Sequence, residues 1–408
     1  MNNKETTPIA IVMGRNYASR LGMIRAAGLA GCEVIVIQTQ KQQKRICKID
    51  ASSKYVRKCY ICNEPYKNRL IDLINSLQDS DKNVVLLPTD DFTAWAIDEH
   101  YDCLKDHFLM PTVNDEQGGM AKVMDKESQK RLAREIGMNV AEGWVCTKEK
   151  GAYQIPADIV YPCFTKPIQS YNGPLKQYLK RCDSKEELAA LLEKVAVFYG
   201  GAFLVEEYHE IEKEYAVVGL SIRDKVIIPS VFQMLSDHGG VTATGRIFPI
   251  SKIPSLEESL SLFVRKTQLL GMFDIDLYES GGKLYFNEFN ARLGASAYAL
   301  TASSVNLPSI FINYLVDGDL HEEKKSVPDA SFVNEKTLLD QYFYKEIRYC
   351  QYKHAMEESD IFFLKDENDM APFKIFIKYK KDLPSLYMWR LLRKSKNKIR
   401  RILKKQKS

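Results

Sequence analysis

Apolar residues fall in short blocks separated by glycine, proline and charged turns, with no run approaching the roughly 20 residues of a spanning helix. Residues 8–13 read as a strand, Gly14 closes it, and a helical stretch runs to Ala30. Gly31 ends that stretch and 33–37 is a second strand, a β-α-β beginning. Residues 83–87 form another strand, ending in Pro88-Thr89-Asp90-Asp91, with a helix through His100. Strands alternating with helices predict a parallel sheet with helices outside. Residues 112–125 read as a linker containing Gly118-Gly119. Asp125 is an N-cap for a helix over 126–136, which Gly137 stops. Strands are expected at 144–147 and 162–166, and an amphipathic helix at 184–199. Further strands are expected at 202–208, 215–221 and 225–231, then a glycine-bearing loop at 233–245 and a helix at 256–270. An apolar helix ends the globular part near Asp319.

Residues 273–278 and 284–290 flank Gly281-Gly282 and read as a β-hairpin. A two-residue loop would place Glu288 and Asn290 among Phe273, Ile275 and Leu277, burying a carboxylate in an apolar layer. A three-residue loop, Gly281 to Lys283, pairs Asp276 with Glu288 and Asp274 with Asn290, and leaves the other face almost wholly apolar. A slip of one residue inverts every side chain, so the hydrophobic pattern selects the second register. Asp276, Glu288 and Asn290 then form an oxygen cluster suited to Mg²⁺ bound with nucleotide phosphates.

Composition is that of an ordinary globular chain: 408 residues, 45% hydrophobic, 27% charged. Length predicts about two to three domains. The net charge of +5 is uneven, because residues 390–408 carry ten basic and no acidic side chains. The remainder is mildly acidic. Trp389, Leu392, Ile399 and Leu403 give the segment 386–408 an apolar stripe within basic surroundings, the pattern of a helix on an anionic membrane. Nucleic acid is not expected, with only two aromatics in that tail and an acidic body. The polar N-terminus lacks the apolar run of a secretory signal, and the nine cysteines show no framework spacing, so the expected location is cytoplasmic, peripheral on the inner face of the membrane. Cys59 and Cys62 are read as part of a strand. Gly14-Arg15-Asn16 lacks the glycine spacing of a dinucleotide turn, so a cleft-shaping turn is expected, with Arg15 meeting a carboxylate or phosphate. Asp90 and Asp91 either line that cleft or cap a helix.

The segment Phe286-Asn287-Glu288-Phe289-Asn290-Ala291-Arg292-Leu293-Gly294 resembles the metal and phosphate segment of the ATP-grasp superfamily of carboxylate–amine and carboxylate–thiol ligases. Asp276 resembles its partner acid. Lys126, in Met124-Asp125-Lys126, resembles the family's first nucleotide lysine, and Lys166, in Phe164-Thr165-Lys166-Pro167, the second. The strand from Phe203 to His209, with Glu206, Glu207 and Tyr208, resembles the adenine hinge, and Glu214 the ribose-binding acid. The matches are ordered and span about residues 115–318. Two features depart from the pattern. The phosphate-covering segment 168–174 has one glycine, and the basic residue before the hairpin is either Arg246 or His238.

The resemblance implies an α/β chain, α+β in the grasp domain: an N-terminal parallel-sheet β-α-β domain (1–115), a two-subdomain ATP-grasp domain (116–320), a C-terminal extension (321–385) and the basic tail (386–408). It implies a ligase that forms an amide through an acyl phosphate and releases ADP and phosphate. Lys126, Lys166 and Asn290 would serve the nucleotide phosphates, and Asp276, Glu288 and Asn290 would hold Mg²⁺, with Mn²⁺ as a substitute. Arg292 and Glu288 would be the catalytic side chains. The partners implied are ATP, a carboxylate and an amine acceptor, with a homodimer as the expected assembly. The layout is most similar to ligases related to D-aspartate ligase, which modify cell-envelope and surface polymers. Carboxylation or thioester formation, and a non-catalytic nucleotide-binding membrane-surface protein, are the competing outcomes.

Overall fold

The computed structural model describes residues 7–39, 46–62, 67–168, 178–318, 320 and 326–380. Most of the phosphate-covering segment (168–174) and the whole basic tail (386–408) lie outside these residues.

The first unit is a parallel sheet of β1 (Ile9–Gly14), β2 (Glu33–Gln38), β3 (Val56–Ile61) and β4 (Val84–Pro88) in the order β3-β2-β1-β4. Strands β1 and β4 are buried throughout, as expected of a sheet covered on both faces. Helix α1 (Tyr17–Leu29) crosses from β1 to β2; Asn16 caps it by accepting from the Ala18 amide. Cys59 lies within β3 as expected, and Cys62 just beyond it.

A small antiparallel sheet follows, with β5 (Gly143–Cys146), β6 (Cys163–Pro167), β7 (Lys180–Cys182) and β8 (Phe203–Glu207) in the order β7-β6-β8-β5. Helix Lys185–Ala196 closes it, burying the predicted Leu188, Leu191, Leu192 and Val195 against Cys163, Phe203 and Val205.

The large sheet is built around β9 (Lys213–Ile222), β10 (Ser230–Asp237), β11 (Thr242–Pro249), β12 (Leu269–Ser280) and β13 (Lys283–Asn290), in the order β11-β10-β9-β12-β13. Two sequence expectations change here. Residues 233–245 are mostly strand, not loop: β10 and β11 pair antiparallel and turn at Gly239-Gly240, both with positive φ. Gly245 lies inside β11 because a Cβ there would meet the Phe332 ring at 2.3 Å. The strand expected at 225–231 is broken, with Lys225–Ile227 pairing back on β9 before β10 begins at Ser230.

Residues beyond 326 extend the same sheet. Ala330–Val333 pairs antiparallel with β11, and Ile361–Phe362 adds a parallel strand beyond it. One apolar core runs from Val12, Ile24 and Val34 through Phe311 to Val218, Phe232 and Phe332, so the first unit and the large sheet share an interior. Helix α1 sits inside it and carries Arg25, which is fully buried. Its guanidinium donates to Asp369 Oδ2 at 2.9 Å, to the Phe363 carbonyl at 2.7 Å and to the Leu364 carbonyl at 3.0 Å. Among the described residues no single helix is long and apolar enough to cross a membrane.

A buried ion pair that loses one member leaves an uncompensated charge. Arg25→Met is therefore expected to destabilise the protein by about 3–5 kcal/mol. Urea unfolding would show this as a lower midpoint at unchanged slope.

Candidate functional site

The hairpin β12–β13 sets the acids. Asp276 stands opposite Glu288 and Asp274 opposite Asn290, the pairing expected from the hydrophobic pattern. The turn differs from expectation. Ser280 pairs with Lys283 and Tyr278 with Tyr285, so the loop has two residues, and the register shifts between Asp276 and Leu277. Asn287 is the extra residue of a β-bulge. The bulge restores the apolar face of Phe273, Ile275, Leu277, Phe286 and Phe289 while turning the polar side chains the other way.

Two separate elements bring lysines to this strand. Asp125 caps helix α2 (Lys126–Glu135) by accepting from the Ser128 amide. Gln129, one turn on, donates to the Phe289 carbonyl at 2.7 Å and accepts from the Phe289 amide at 3.0 Å, clamping the helix to β13. Lys126 Nζ then lies 2.6 Å from Glu288 Oε1. Lys166, at the end of β6 in the small sheet, donates to Asn287 Oδ1 at 2.6 Å and pairs with Glu206 Oε2 at 2.7 Å. Glu206 also pairs with Lys130, so its side chain lies between two ammonium groups. Lys130 follows Lys126 by four residues, on the same helical face, and that spacing is the signal by which sequence reasoning could have found it.

The hinge residues spread out. Glu207 Oε1 is 2.7 Å from His209 Nε2, and the Tyr208 ring lies under the Arg181 guanidinium at 4.5 Å. Glu214 shares a sheet face with Ala216, the residue opposite Asp276, and so faces the acids. Arg246 does not. It pairs with Gln233, on the face of Tyr215 and Leu277, opposite to that of Asp276. His238 lies at the β10–β11 turn, 2.8 Å from Glu346 and stacked on Tyr344. Neither of the two loop candidates lines the cleft described next.

A cleft of about 810 Å³ opens between the C-terminal edge of the parallel sheet and the large sheet, walled by Arg15, Asp90, Asp91, Asp274, Asp276 and Arg292. It lies where β1 and β4 meet, the crevice at which open α/β sheets bind ligands. Arg292 donates to Asp91 Oδ1 at 2.9 Å and to Asn290 Oδ1 at 3.1 Å. Asp90 caps helix Asp91–Glu99 and accepts the Arg15 amide at 2.6 Å, so capping and lining, the two alternatives for this pair, both hold. The Arg15 guanidinium stacks on Phe92 at 4.8 Å.

No protein-family model matches the sequence, and no curated protein matches it. Solved structures do. An L-amino acid ligase from Bacillus licheniformis matches at TM-score 0.58 and 15% identity, over 81% of this chain and 80% of that one. The ADP complex of the N5-carboxyaminoimidazole ribonucleotide synthetase PurK matches at TM-score 0.60 and 14% identity, over 84% and 86%. The biotin carboxylase domain of a Hydrogenobacter thermophilus 2-oxoglutarate carboxylase, with MgADP and bicarbonate, matches at TM-score 0.60 and 15% identity, over 79% and 73%. The chain has the ATP-grasp fold.

Within the ATP-grasp frame the acids carry unequal proton affinities. Burial raises Asp276 well above the ordinary carboxylate range, and Asp274 and Glu288 add to it. Burial pushes Asp274 up to about 6 against the opposing pull of Arg292. Glu288 goes the other way: burial opposes its charge, but Lys126, Lys166 and Arg292 together outweigh burial and hold it below the usual value. Among the described residues no group of three or more His, Cys, Asp or Glu side chains is placed to hold an ion alone. The oxygen set of Asp276, Glu288 and Asn290 still fits Mg²⁺, which takes one or two carboxylates and completes its shell with phosphates and water.

A carboxyl whose folded pKa is raised above its unfolded value of about 3.9 favours folding below that value and loses the advantage as pH rises. For Asp274 the window runs from about pH 4 to about pH 6. Relative to Asp274→Asn, the wild type is expected to lose on the order of 2 kcal/mol across it, with parallel curves above. Urea unfolding of both proteins at a series of pH values measures this.

Proposed function

We propose that the chain is an ATP-dependent carboxylate–amine ligase. The observation that carries this is the convergence of two lysines, from a helix and from a separate small sheet, on neighbouring residues of one acid-bearing hairpin: Lys126 on Glu288 and Lys166 on Asn287, each at 2.6 Å. Cations from two packing units meeting on the oxygen-bearing face of one hairpin form a site suited to a metal–polyphosphate complex.

A carboxylate is a poor electrophile, and phosphorylation gives it a good leaving group. The nucleotide's terminal phosphoryl passes to the substrate carboxylate, an amine attacks the acyl phosphate, and the tetrahedral adduct collapses to amide and phosphate. Phosphoryl transfer asks chiefly for positioning and charge neutralisation. Lys126 and Lys166 exchange their protein partners for phosphate oxygens. Asp276, Glu288 and Asn290 would hold Mg²⁺, which would supply neutralisation of phosphate charge. Arg292, fixed by Asp91 and Asn290, presents its planar fork to the transferred group and the oxyanion. Glu214 is placed for the ribose hydroxyls, and the strand around Glu206, Glu207 and Tyr208 for the adenine. The acid and the amine meet in the 810 Å³ cleft. A precursor of the cell envelope or of a surface polymer is the substrate class that the sequence resemblance implies.

Hydroxylamine can replace the unknown amine. With MgATP and a panel of amino, hydroxy and uronic acids, one acid is expected to give an ATP-dependent hydroxamate. Glu288→Gln should lower its rate about 100-fold or more. Absence of MgATP binding by calorimetry would refute the proposal.

Burial, with Lys126 nearby, lowers Lys166 to about 8. Only the protonated amine attracts phosphate. The dissociation constant of MgATP is therefore expected to stay level near neutral pH and to rise above about pH 8. Lys166→Arg should flatten that rise.

A further inference from the structure

Of the acids lining the cleft, Asp274 has no part in the set assigned to the metal and the phosphates. It is 6% exposed. Its Oδ2 accepts from the Gly294 amide at 3.1 Å, while its Oδ1 is buried with no hydrogen-bond partner. The neighbouring acids are occupied. Asp91 receives Arg292, Asp90 receives the Arg15 and Thr93 backbone amides, and Asp276 receives the Asn290 side-chain Nδ2 at 3.3 Å. An unpaired carboxylate oxygen in a buried wall carries its full desolvation cost unless something donates to it.

The placement of Asp274 says what donates. Successive residues on one face of a strand are about 6.8 Å apart. Asp274 is one such step from Asp276, on the side away from Tyr278. It adjoins Gly294, Ala295 and Ser296, which line the same cleft. A Cβ at 294 would lie 2.5 Å from Asp274 Oδ2, so the carboxylate as placed fits against glycine and would have to shift for any other residue. The carboxylate is thus seated against backbone on one side and forms part of the buried wall of the cleft. Lys126 and Lys166 stand at Glu288 and Asn287, towards the nucleotide end of the hairpin.

We propose that Asp274 is the anchor for the amine substrate, its Oδ1 taking a charge-assisted hydrogen bond from the acceptor's ammonium group on the cleft side of the transferred phosphoryl group. This rests on the ligase function proposed above. The residue acts by binding and positioning the acceptor, so its removal should separate cationic amines from a neutral one. Hydroxylamine is largely neutral near pH 7.5, whereas glycinamide and ammonium retain a cationic fraction.

The test uses the full chain with MgATP and the acid that supports hydroxamate formation. Asp274→Asn is expected to raise KM for glycinamide and for ammonium about tenfold or more beyond any rise for hydroxylamine. Asp274→Glu should recover part of the difference. Equal losses for neutral and cationic acceptors overturn the proposal, as does a wild-type enzyme in which cationic amines neither react nor compete with hydroxylamine. MgADP affinity separates this role from metal binding: a loss as large as that of Asp276→Asn makes Asp274 a metal ligand and overturns the proposal. If the wild type forms no hydroxamate with any acid, the ligase function fails first. A crystal of the MgADP complex soaked in methylammonium then decides the amine site, and no nitrogen within hydrogen-bond distance of Asp274 overturns it.

Discussion

Three carboxylates on one face of a two-stranded unit repel one another, and most of what surrounds this hairpin offsets that repulsion. At an effective dielectric of about 20, two unit charges 4 Å apart interact by about 4 kcal/mol. Asp274, Asp276 and Glu288 cannot all be charged on β12 and β13 without counter-charge. Neutralisation comes from outside the hairpin. Lys126 arrives on a helix clamped by Gln129, and Arg292 arrives in the segment that leaves β13. Arg292 is in turn held by Asp91 at the edge of the first parallel sheet. Lys166 comes from the small sheet and is held by Asn287 and Glu206. Each packing unit thus contributes one link to a single chain of charges, and the part of that chain formed by Asp91, Arg292, Asp274 and Asp276 walls the cleft.

The scaffold behind this chain is held by similar means. Helix α1 is buried on most of its surface and still carries two arginines. Arg20 pairs with Asp50 at 2.7 Å, and Arg25 is satisfied wholly by residues between Phe363 and Asp369. The C-terminal residues therefore fix the first unit against the large sheet as well as extending that sheet. They also fix one cleft wall. Gln341 donates to the Asp237 carbonyl at 2.7 Å and Glu346 holds His238, so the turn whose Gly240, Val241 and Thr242 line the cleft is anchored from behind.

What could be read in the sequence follows from the range of the forces involved. The acid pairing of the hairpin was legible because burial of one face decides register, and the β-α-β start because its punctuation is local. The loop length was not. A bulge at Asn287 absorbs one residue, and nothing local distinguishes a three-residue loop from a two-residue loop followed by a bulge. Residues 233–245 looked like a loop because Gly245 interrupts the pattern. The cause of that glycine, the Phe332 ring, lies far along the chain. Arg246 was a candidate only while its segment was taken for loop. Once the segment is a strand, pairing with Gln233 sends its side chain to the wrong face. The link between Asp91 and Arg292 spans 201 residues and exists only in the folded chain.

The same charges imply an order to the proposed chemistry. Without ligand, Lys126 is matched by Glu288, and Lys166 by Glu206 and Asn287. A polyphosphate entering alone would draw the lysines towards itself and bring added negative charge beside Glu288. A metal ion entering alone would compete with Lys126 for Glu288 and add positive charge beside that ammonium. Entering together in the proposed site, a metal would meet the acids and the phosphates would meet the lysines, so the added charges would offset one another. Each ligand therefore lowers the cost of binding the other, a reciprocal coupling that linkage requires to be equal in both directions. The site would discriminate against free nucleotide through partner exchange, with no added contact to the metal-free form.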